Sequence, residues 1–180
     1  MHILVATDGT LPSEQVVETV ARWYEDGDTV TVFTAMNVPT DFLRRLGDTG
    51  VEDAARIAKE AGATLMAGDK AAQQLTGSVG ARKPAKSDSP VLHALMSTAR
   101  SRTKPVVDGL KEQGITAKQN WRTSEYKTAS TTLAFAKEEG ADVLVIGSHG
   151  HGKYEGLLGS TGTKLVRSFP GTTIVIRARD

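Results

Sequence analysis

The sequence predicts an α/β fold built on one doubly wound sheet of five parallel strands. Short apolar runs alternate along the chain with segments of helical periodicity, as right-handed β-α-β crossovers require. The runs at residues 2–6 and 142–146 are apolar almost throughout, which is typical of strands buried on both faces of a parallel sheet. Such a sheet commonly takes the order 3-2-1-4-5, so strands 1 and 4 are expected to be neighbours.

The first three elements are predicted between residues 2 and 36. Residues 2–6 are expected to form strand 1. Thr10 is expected to cap the next helix and Pro12 to lie in its first turn, and apolar residues then recur at helical spacing as far as Gly27. The β-branched run at 29–36 predicts strand 2.

Residues 40–114 carry weaker signals. One short helix is predicted near residues 51–58, and another begins near Val91. We expect this second helix either to bend at Pro105 or to restart there before Gly109, because proline cannot donate the helical hydrogen bond.

Between these two helices lies the segment 77–90, GSVGARKPAKSDSP. It is rich in Gly, Ser, Pro and Lys and cannot bury enough apolar surface to fold by itself, so we expect a mobile insertion loop. The alternative is a basic arm that contacts phosphate, as some lid loops do. The residues that would make such contacts are Arg82, Lys83 and Lys86.

The carboxyl-terminal third of the chain predicts the remaining elements clearly. Gly140 and the sequence Phe169-Pro170-Gly171 are expected to stop the last two helices. The predicted elements are strand 3 at 115–121, a helix at 128–139, strand 4 at 142–146, a short helix at 160–168 and strand 5 at 172–178.

Composition narrows the class of protein. The chain has 180 residues, so we expect a single domain, 1–180. Its 22 Lys and Arg nearly balance 21 Asp and Glu, which argues against a nucleic-acid partner. No cysteine is present, which excludes disulfides, thiol nucleophiles and Cys-based metal sites. There is neither a secretory signal pattern nor a run of membrane-spanning length, so a cytoplasmic location is expected.

One stretch is unusually rich in glycine: GSHGHGKYEGLLGSTG, residues 147–162, directly after strand 4. The sheet order predicts that Gly147 lies beside Asp8-Gly9, because the carboxyl ends of strands 1 and 4 meet at one edge. Glycines such as Gly147 and Gly150 can take positive φ and turn their N–H groups inward. We therefore expect a crevice lined by backbone amides.

The end of the glycine-rich stretch predicts an anion site. Gly159-Ser160 opens a helix whose first N–H groups have no intrahelical partner and lie at the positive end of the dipole. The Ser160 hydroxyl can donate to phosphate or ligate Mg²⁺, and Thr161 adds a second hydroxyl. Ser160 can equally serve as a helix cap, and the two roles are compatible.

These two segments together resemble the ATP-binding branch of the universal stress protein family. The segments are VATDGT at 5–10 and VIGSHGHGKYEGLLGSTGTKLVRSFPGTTIVI at 145–176. The family's pattern of Gly, two residues, Gly, a spacer and Gly-Ser is met by Gly147, Gly150 and Gly159-Ser160, with a spacer one residue shorter than the family's. Gly162 stands where family members tend to carry a second small hydroxyl residue.

The resemblance implies a Rossmann-like domain of the adenine nucleotide alpha hydrolase-like type that binds ATP, alone or with Mg²⁺. It implies that Asp8 contacts the adenine-ribose end, that backbone near Ala35 at the exit of strand 2 contacts the base, and that the protein is a homodimer. An exposed strand 5 edge favours the same dimer. The expected binding residues are Asp8, Gly9, Thr10, Ala35, Gly147, His149, Gly150, Gly159, Ser160 and Thr161.

Two other interpretations of this region are less favoured. His149 and His151 are possible zinc ligands, but two histidines without a third ligand make a weak site. The string GSTGTK is not a P-loop, because that motif needs Gly-Lys followed by Ser or Thr and Lys164 precedes Leu165. Lys153 and Lys164 are expected to be solvated surface charges rather than phosphate-steering groups.

Three functions remain open at this point. The first is a nucleotide-binding, stress-response regulatory module that acts as a dimeric switch. The second is a dimerisation or partner-binding module on the same fold that does not bind nucleotide. The third is a slow ATPase, for which the sequence supplies a phosphate cradle but no assigned catalytic residue.

Overall fold

A computed structural model describes residues 1–38, 90–125, 127–148 and 158–177, with side chains from residue 94 onward in the second segment. The predicted helix near 51–58 and the predicted insertion at 77–90 lie outside the described residues. The described strands are β1 (His2–Ala6), β2 (Thr29–Asn37), β3 (Ala117–Ser124), β4 (Val143–Gly147) and β5 (Thr172–Ile176). The described helices are α1 (Ser13–Trp23), α2 (Pro90–Glu112), α3 (Thr128–Glu138) and α4 (Ser160–Ser168).

The five described strands form one parallel sheet in the order β3-β2-β1-β4-β5, which confirms the predicted fold and strand order. That the whole chain makes one domain stays a prediction. None of the described helices is both long and apolar enough to cross a lipid bilayer.

Two hydrophobic layers cover the sheet because side chains alternate along each strand. On β1, Ile3 and Val5 pack into the layer that contains α1 and α2, whereas Leu4 packs into the layer that contains α3 and α4. In the second layer Phe33 of β2 stacks on Phe135 of α3, with ring centroids 4.2 Å apart. The two helical layers therefore meet different faces of the same central strand.

Glycines in the left-handed conformation end α2 and α3. At the end of α2, Gly114 has φ +79°, its N–H donates to the Lys111 carbonyl, and the next N–H donates to the Leu110 carbonyl. The same pair of bonds surrounds Gly140 at the end of α3, where φ is +65°. These are Schellman motifs, which satisfy carbonyls that a helix end leaves unpaired. The prediction that Gly140 ends its helix is confirmed.

The predicted start of α1 is wrong. The helix begins at Ser13, with Pro12 as the residue before it rather than inside its first turn. Thr10 does not cap it, because the Thr10 side chain and backbone N–H both bond to Asp8 Oδ1.

Strand 3 begins and ends later than predicted. Ile115 belongs to the end of α2, since its N–H closes the Schellman motif and its side chain packs in the α1–α2 layer. At its other end β3 continues to Ser124, because the partner strand β2 itself continues to Asn37 and the two residues are paired.

For α2 the sequence left two outcomes open, and the structure has one continuous helix with Pro105 inside it. Both Pro105 and Ser101, whose carbonyl loses the helical bond, are exposed. Water can solvate that carbonyl, so the proline does not interrupt the helix.

The amino-terminal edge of the sheet is held by polar contacts to the first two residues. The His2 ring places Nδ1 2.8 Å from the Glu139 carbonyl oxygen and Nε2 3.0 Å from Thr31 Oγ1. The Met1 ammonium donates to Asp28 Oδ1 at 2.5 Å. These contacts link the start of β1 to the elements on either side of it.

The Met1–Asp28 pair makes stability depend on pH at both ends of the scale. The hydrogen bond to Asp28 raises the pKa of the amino terminus above its ordinary 8.0, and the same bond, with one from the Glu25 N–H, lowers the pKa of Asp28 below 3.8. The contribution of the ammonium is thus complete below pH 8.0 and is lost as pH rises through its raised pKa. The contribution of the Asp28 carboxylate to stability is present above pH 3.8 and is lost as pH falls through its lowered pKa.

We predict that Asp28→Asn weakens the dependence of stability on alkaline pH. Urea unfolding of the untagged protein between about pH 7 and about pH 10 should show a larger fall in the free energy of unfolding for wild type than for Asp28→Asn. The control is Asp26→Asn, which changes an exposed neighbour in the same turn. Equal pH dependence in wild type and Asp28→Asn would contradict the prediction.

Candidate functional site

The carboxyl ends of β1 and β4 lie side by side, as the sequence predicts. The two strands are paired directly, with Ile3 opposite Val143 and Val5 opposite Val145. Beyond β1 the chain turns into α1, and beyond β4 it continues toward α4. The two exits therefore lie together at one edge of the sheet, which is where ligands bind in folds of this type.

Hydrogen bonds fix the turn that follows β1. Asp8 Oδ1 accepts from the Thr10 N–H at 2.9 Å and from the Thr10 hydroxyl at 2.6 Å. The N–H of Gly9, whose φ is +92°, donates to Thr7 Oγ1 at 2.9 Å. Asp8 and Thr10 remain exposed. The turn thus presents an oriented carboxylate to solvent, a group that can accept hydrogen bonds from the hydroxyls of a ligand.

Gly147 has a structural role that the sequence did not reveal. A methyl group added to Gly147 would lie 2.5 Å from Leu11 Cδ2 and 3.2 Å from Leu11 Cγ. The Leu11 side chain therefore packs where a side chain at 147 would be. Gly147 is the last residue of β4 and does not use the positive φ that glycine permits. Glycine at 147 lets Leu11 approach closely, and this contact packs the β1–α1 turn against the end of β4.

The residue before α4 is a glycine, which has no side chain that could cap the helix. Gly159 precedes the helix in an extended conformation. Ser160 is the first helical residue and is exposed, so it is not the capping residue that we considered. Helix geometry leaves the first N–H groups without helical acceptors, and the dipole makes this end positive. These groups can bind an anion.

This end of α4 lies at the same edge of the sheet as the β1–α1 turn. After α4 the chain enters β5 at the amino edge of the sheet, where the parallel strands begin. There the Thr172 N–H donates to the Asp142 carbonyl and the Asp142 N–H donates to the His2 carbonyl. Because α4 runs toward this amino edge, its first residue lies at the carboxyl edge, where the strands end.

Gly162 is buried in α4, and a side chain there would collide with a neighbour. An added methyl group would lie 2.9 Å from Leu158 Cγ and 3.0 Å from its Cδ1. This contact gives a packing reason for the absence of a second hydroxyl residue at this position. Thr163, one residue further, donates from its hydroxyl to the Leu158 carbonyl at 3.1 Å.

The exit of β2 lies two residues beyond Ala35. Ala35 is a partly buried strand residue paired with Arg122, and the strand ends at Asn37. Asn37 Oδ1 accepts from the hydroxyls of Ser124 and Thr128, both at 3.1 Å. These bonds fasten the end of β2 to the end of β3 and to the start of α3.

Several residues singled out in the sequence are not among those described: His149, Gly150, His151 and Lys153. In the part of the chain that the structure does describe, no group of three or more His, Asp or Glu side chains is placed to hold a metal ion. The Lys164 side chain is bonded to the neighbouring helix, where its Nζ donates to Ser130 Oγ of α3 at 2.8 Å.

Two neighbours of the β1–α1 turn were missed by the sequence analysis. They are Leu11, which packs on Gly147, and Arg102 of α2, whose side chain packs on Gly9. The helical periodicity of α2 was a usable signal for Arg102, because position 102 continues the inward-facing series that includes Leu95, Thr98 and Val106.

We predict that Leu11 and Gly147 are energetically coupled. Gly147→Ala should destabilise the fold by about 1–3 kcal/mol because its methyl group overlaps Leu11. Leu11→Ala should also destabilise it. The double variant should be more stable than the sum of the single effects predicts, by about 0.5–3 kcal/mol, because the shortened side chain at position 11 leaves room for the new methyl group. Urea unfolding of all four proteins measures this, and additive effects would contradict it.

Comparisons with known proteins agree with the fold. The model of the universal stress protein family matches residues 1–177. Solved structures with this fold include the hypothetical protein MJ0577 (14% identity, 99% of this chain and 96% of that chain covered, TM-score 0.58). A universal stress protein from Archaeoglobus fulgidus in complex with dAMP has 15% identity, with 97% and 96% of the two chains covered and a TM-score of 0.54.

A universal stress protein in complex with cAMP is also similar, at 17% identity, with 98% and 96% of the two chains covered and a TM-score of 0.54. No curated protein matches the sequence at a significant level. The identities to the solved structures are low, so these likenesses concern the fold. Because the family model spans nearly the whole sequence, the chain belongs to the universal stress protein family.

Proposed function

We propose that this protein binds an adenine nucleotide, ATP in the first instance, at the carboxyl edge of β1 and β4, and that it acts as a regulatory switch in a stress response. The observation that carries the proposal is the position of two complementary groups at one edge. The oriented Asp8 carboxylate follows β1, and the amino end of α4, preceded by Gly159, follows β4.

The two groups suit opposite parts of a nucleotide. A carboxylate accepts hydrogen bonds from ribose hydroxyls, whereas helical N–H groups and the positive dipole end favour phosphate oxygens. The exposed Ser160 hydroxyl and the Thr161 N–H add donors at the phosphate end. Gly9, Thr10, Gly147 and Gly159 belong to the proposed site through their backbone.

Adenine is the base we propose. The solved proteins of this fold include complexes with dAMP and with cAMP. Because these ligands share adenine and differ in their phosphates, they support the base more strongly than any particular phosphate group. ATP, with or without Mg²⁺, is the first nucleotide to test because the glycine pattern resembles that of the ATP-binding branch of the family. The partner-binding module is the alternative if no nucleotide binds. A cytoplasmic location stays a prediction.

The proposal includes a homodimer formed through β5. This strand is at the edge of the sheet, and Val175 on it is 37% exposed. An open apolar edge strand is prone to pair with another strand. Antiparallel pairing with a second copy would satisfy the unpaired backbone N–H and C=O groups of both edge strands at once.

ATP should stabilise the protein against heat. At 100 times its dissociation constant a ligand adds about 2.7 kcal/mol, which for a chain of this size raises Tm by roughly 5–10 °C. Differential scanning fluorimetry with ATP, ADP, AMP and adenosine, each with and without Mg²⁺, measures the effect. No shift with any of them at millimolar concentration would favour the partner-binding module.

Matched variants locate the ligand. Ser160→Ala should weaken ATP binding by roughly threefold to tenfold, the loss of one hydrogen bond, whereas Ser168→Ala at the other end of α4 should not. Asp8→Ala should weaken binding of adenosine as well as ATP, with Asp26→Ala as the control in another exposed turn. Calorimetric titrations in which Ser160→Ala and Ser168→Ala behave alike would place the phosphates elsewhere.

We predict that Val175→Lys shifts the protein from dimer toward monomer, because it adds a charge to the proposed pairing strand. The control is Gln119→Lys, which adds the same charge to an exposed residue of β3, the other edge strand. Sedimentation velocity gives the mass of each variant. A monomeric wild-type protein, or the same mass for both variants, would refute the β5 dimer.

A further inference from the structure

We propose that Arg102 of α2 binds the anionic part of the ligand and makes the site select phosphorylated over unphosphorylated molecules. The inference rests on the proposed nucleotide site and adds to it a residue from an element outside the glycine-rich and Asp-Gly segments.

Arg102 lies on the face of α2 that packs against the sheet. Along the helix the buried positions recur at helical spacing, and position 102 falls between Thr98 and Val106 in this series. Thr103, its neighbour, is almost fully buried, and Arg102 itself is partly buried. Arginine is uncommon on such a face, because its charge must keep water or a polar partner.

The position of Arg102 along α2 brings it to the ligand edge. The helix leads into β3 at the amino edge of the sheet, so its earlier residues lie toward the carboxyl edge. Val106 and Leu110, which follow Arg102, pack into the apolar layer. Arg102 therefore lies at the end of the apolar contact between α2 and the sheet, next to the carboxyl edge that carries the β1–α1 turn.

The side chain of Arg102 packs directly on that turn. A methyl group added to Gly9 would lie 3.0 Å from Arg102 Cγ and 3.3 Å from both its Cα and Cβ. The guanidinium is joined to this Cγ through only Cδ and Nε. Its reach therefore includes the space beside Asp8 and Thr10, which flank Gly9 and carry the exposed polar groups of the turn.

Buried hydroxyl groups line the sheet beneath this contact. The Thr7 hydroxyl accepts from the Gly9 N–H, and the Thr7 N–H donates to the Phe33 carbonyl of β2. The next residue of β2, Thr34, is fully buried, and its Oγ1 has no hydrogen-bond partner among the described residues. The sheet therefore presents two hydroxyl groups next to the contact between the turn and α2.

A guanidinium at this position favours phosphate as its ligand. It presents several N–H donors in one plane and a permanent positive charge, which suits the paired oxygens of phosphate. Together with the amino end of α4, it would bring positive charge to the ligand from both sides of the sheet. The ligand class is therefore a nucleotide with at least one phosphate, rather than a nucleoside.

The test compares ATP, AMP and adenosine by calorimetric titration of the full-length wild-type protein and three variants. Arg102→Met keeps the aliphatic packing on Gly9 and removes the charge, and Arg102→Lys keeps the charge. Arg100→Met makes the same change at an exposed residue of the same helix and is the control. Thermal melts establish that each variant is folded, and Arg102→Gln replaces Arg102→Met if that variant does not fold.

We expect Arg102→Met to lower the affinity for ATP by about tenfold to a hundredfold and to leave the affinity for adenosine within about twofold. Arg102→Lys should recover part of the loss, and Arg100→Met should bind as wild type does. Unchanged ATP affinity in Arg102→Met would overturn the inference, as would an equal loss for ATP and adenosine, which indicates a packing role. A wild-type protein that binds none of the three ligands would overturn the proposed function, and this inference with it.

Discussion

The structure depends on a single constraint, the burial of β1 on both faces and its pairing along both edges. Ile3, Leu4 and Val5 have no exposed surface, and they pack alternately into the two helical layers. Each of these side chains gains the full hydrophobic free energy of burial, about 1.5–3 kcal/mol. Because β1 pairs with β2 on one side and β4 on the other, it also determines which loops meet at its end.

The glycines around the candidate site serve three different physical purposes. Gly9 takes a left-handed conformation and also lies against Arg102. Gly147 is an ordinary strand residue whose missing side chain leaves room for Leu11. Gly159 precedes an exposed helix end in an extended conformation. The glycine-rich sequence therefore reflects packing as well as access for a ligand, and its residues are not interchangeable.

The sequence was sufficient for the fold because the signals were local. Alternating elements, apolar strands and stop residues such as Gly140 predict the strand order and the bounds of α4, and the structure confirms both. The error at Ile115 was local, because the adjacent Gly114 ends α2 and the Ile115 N–H bonds to the Leu110 carbonyl. The error at Gly147 came from a contact between distant residues, since nothing near Gly147 indicates Leu11. The periodicity of α2 places Arg102 on the inward face, but its contact with Gly9 joins two distant segments and was missed.

The contact between Leu11 and Gly147 also has a consequence for how such a sequence can change over time. A larger residue at 147 costs stability while leucine stands at 11, since the leucine side chain would have to shift. The order of substitutions then matters: a larger residue at position 147 costs less once position 11 has become smaller. Homologous sequences should therefore show correlated side-chain volumes at these two positions, and ancestors with both residues large should be rare in the lineage.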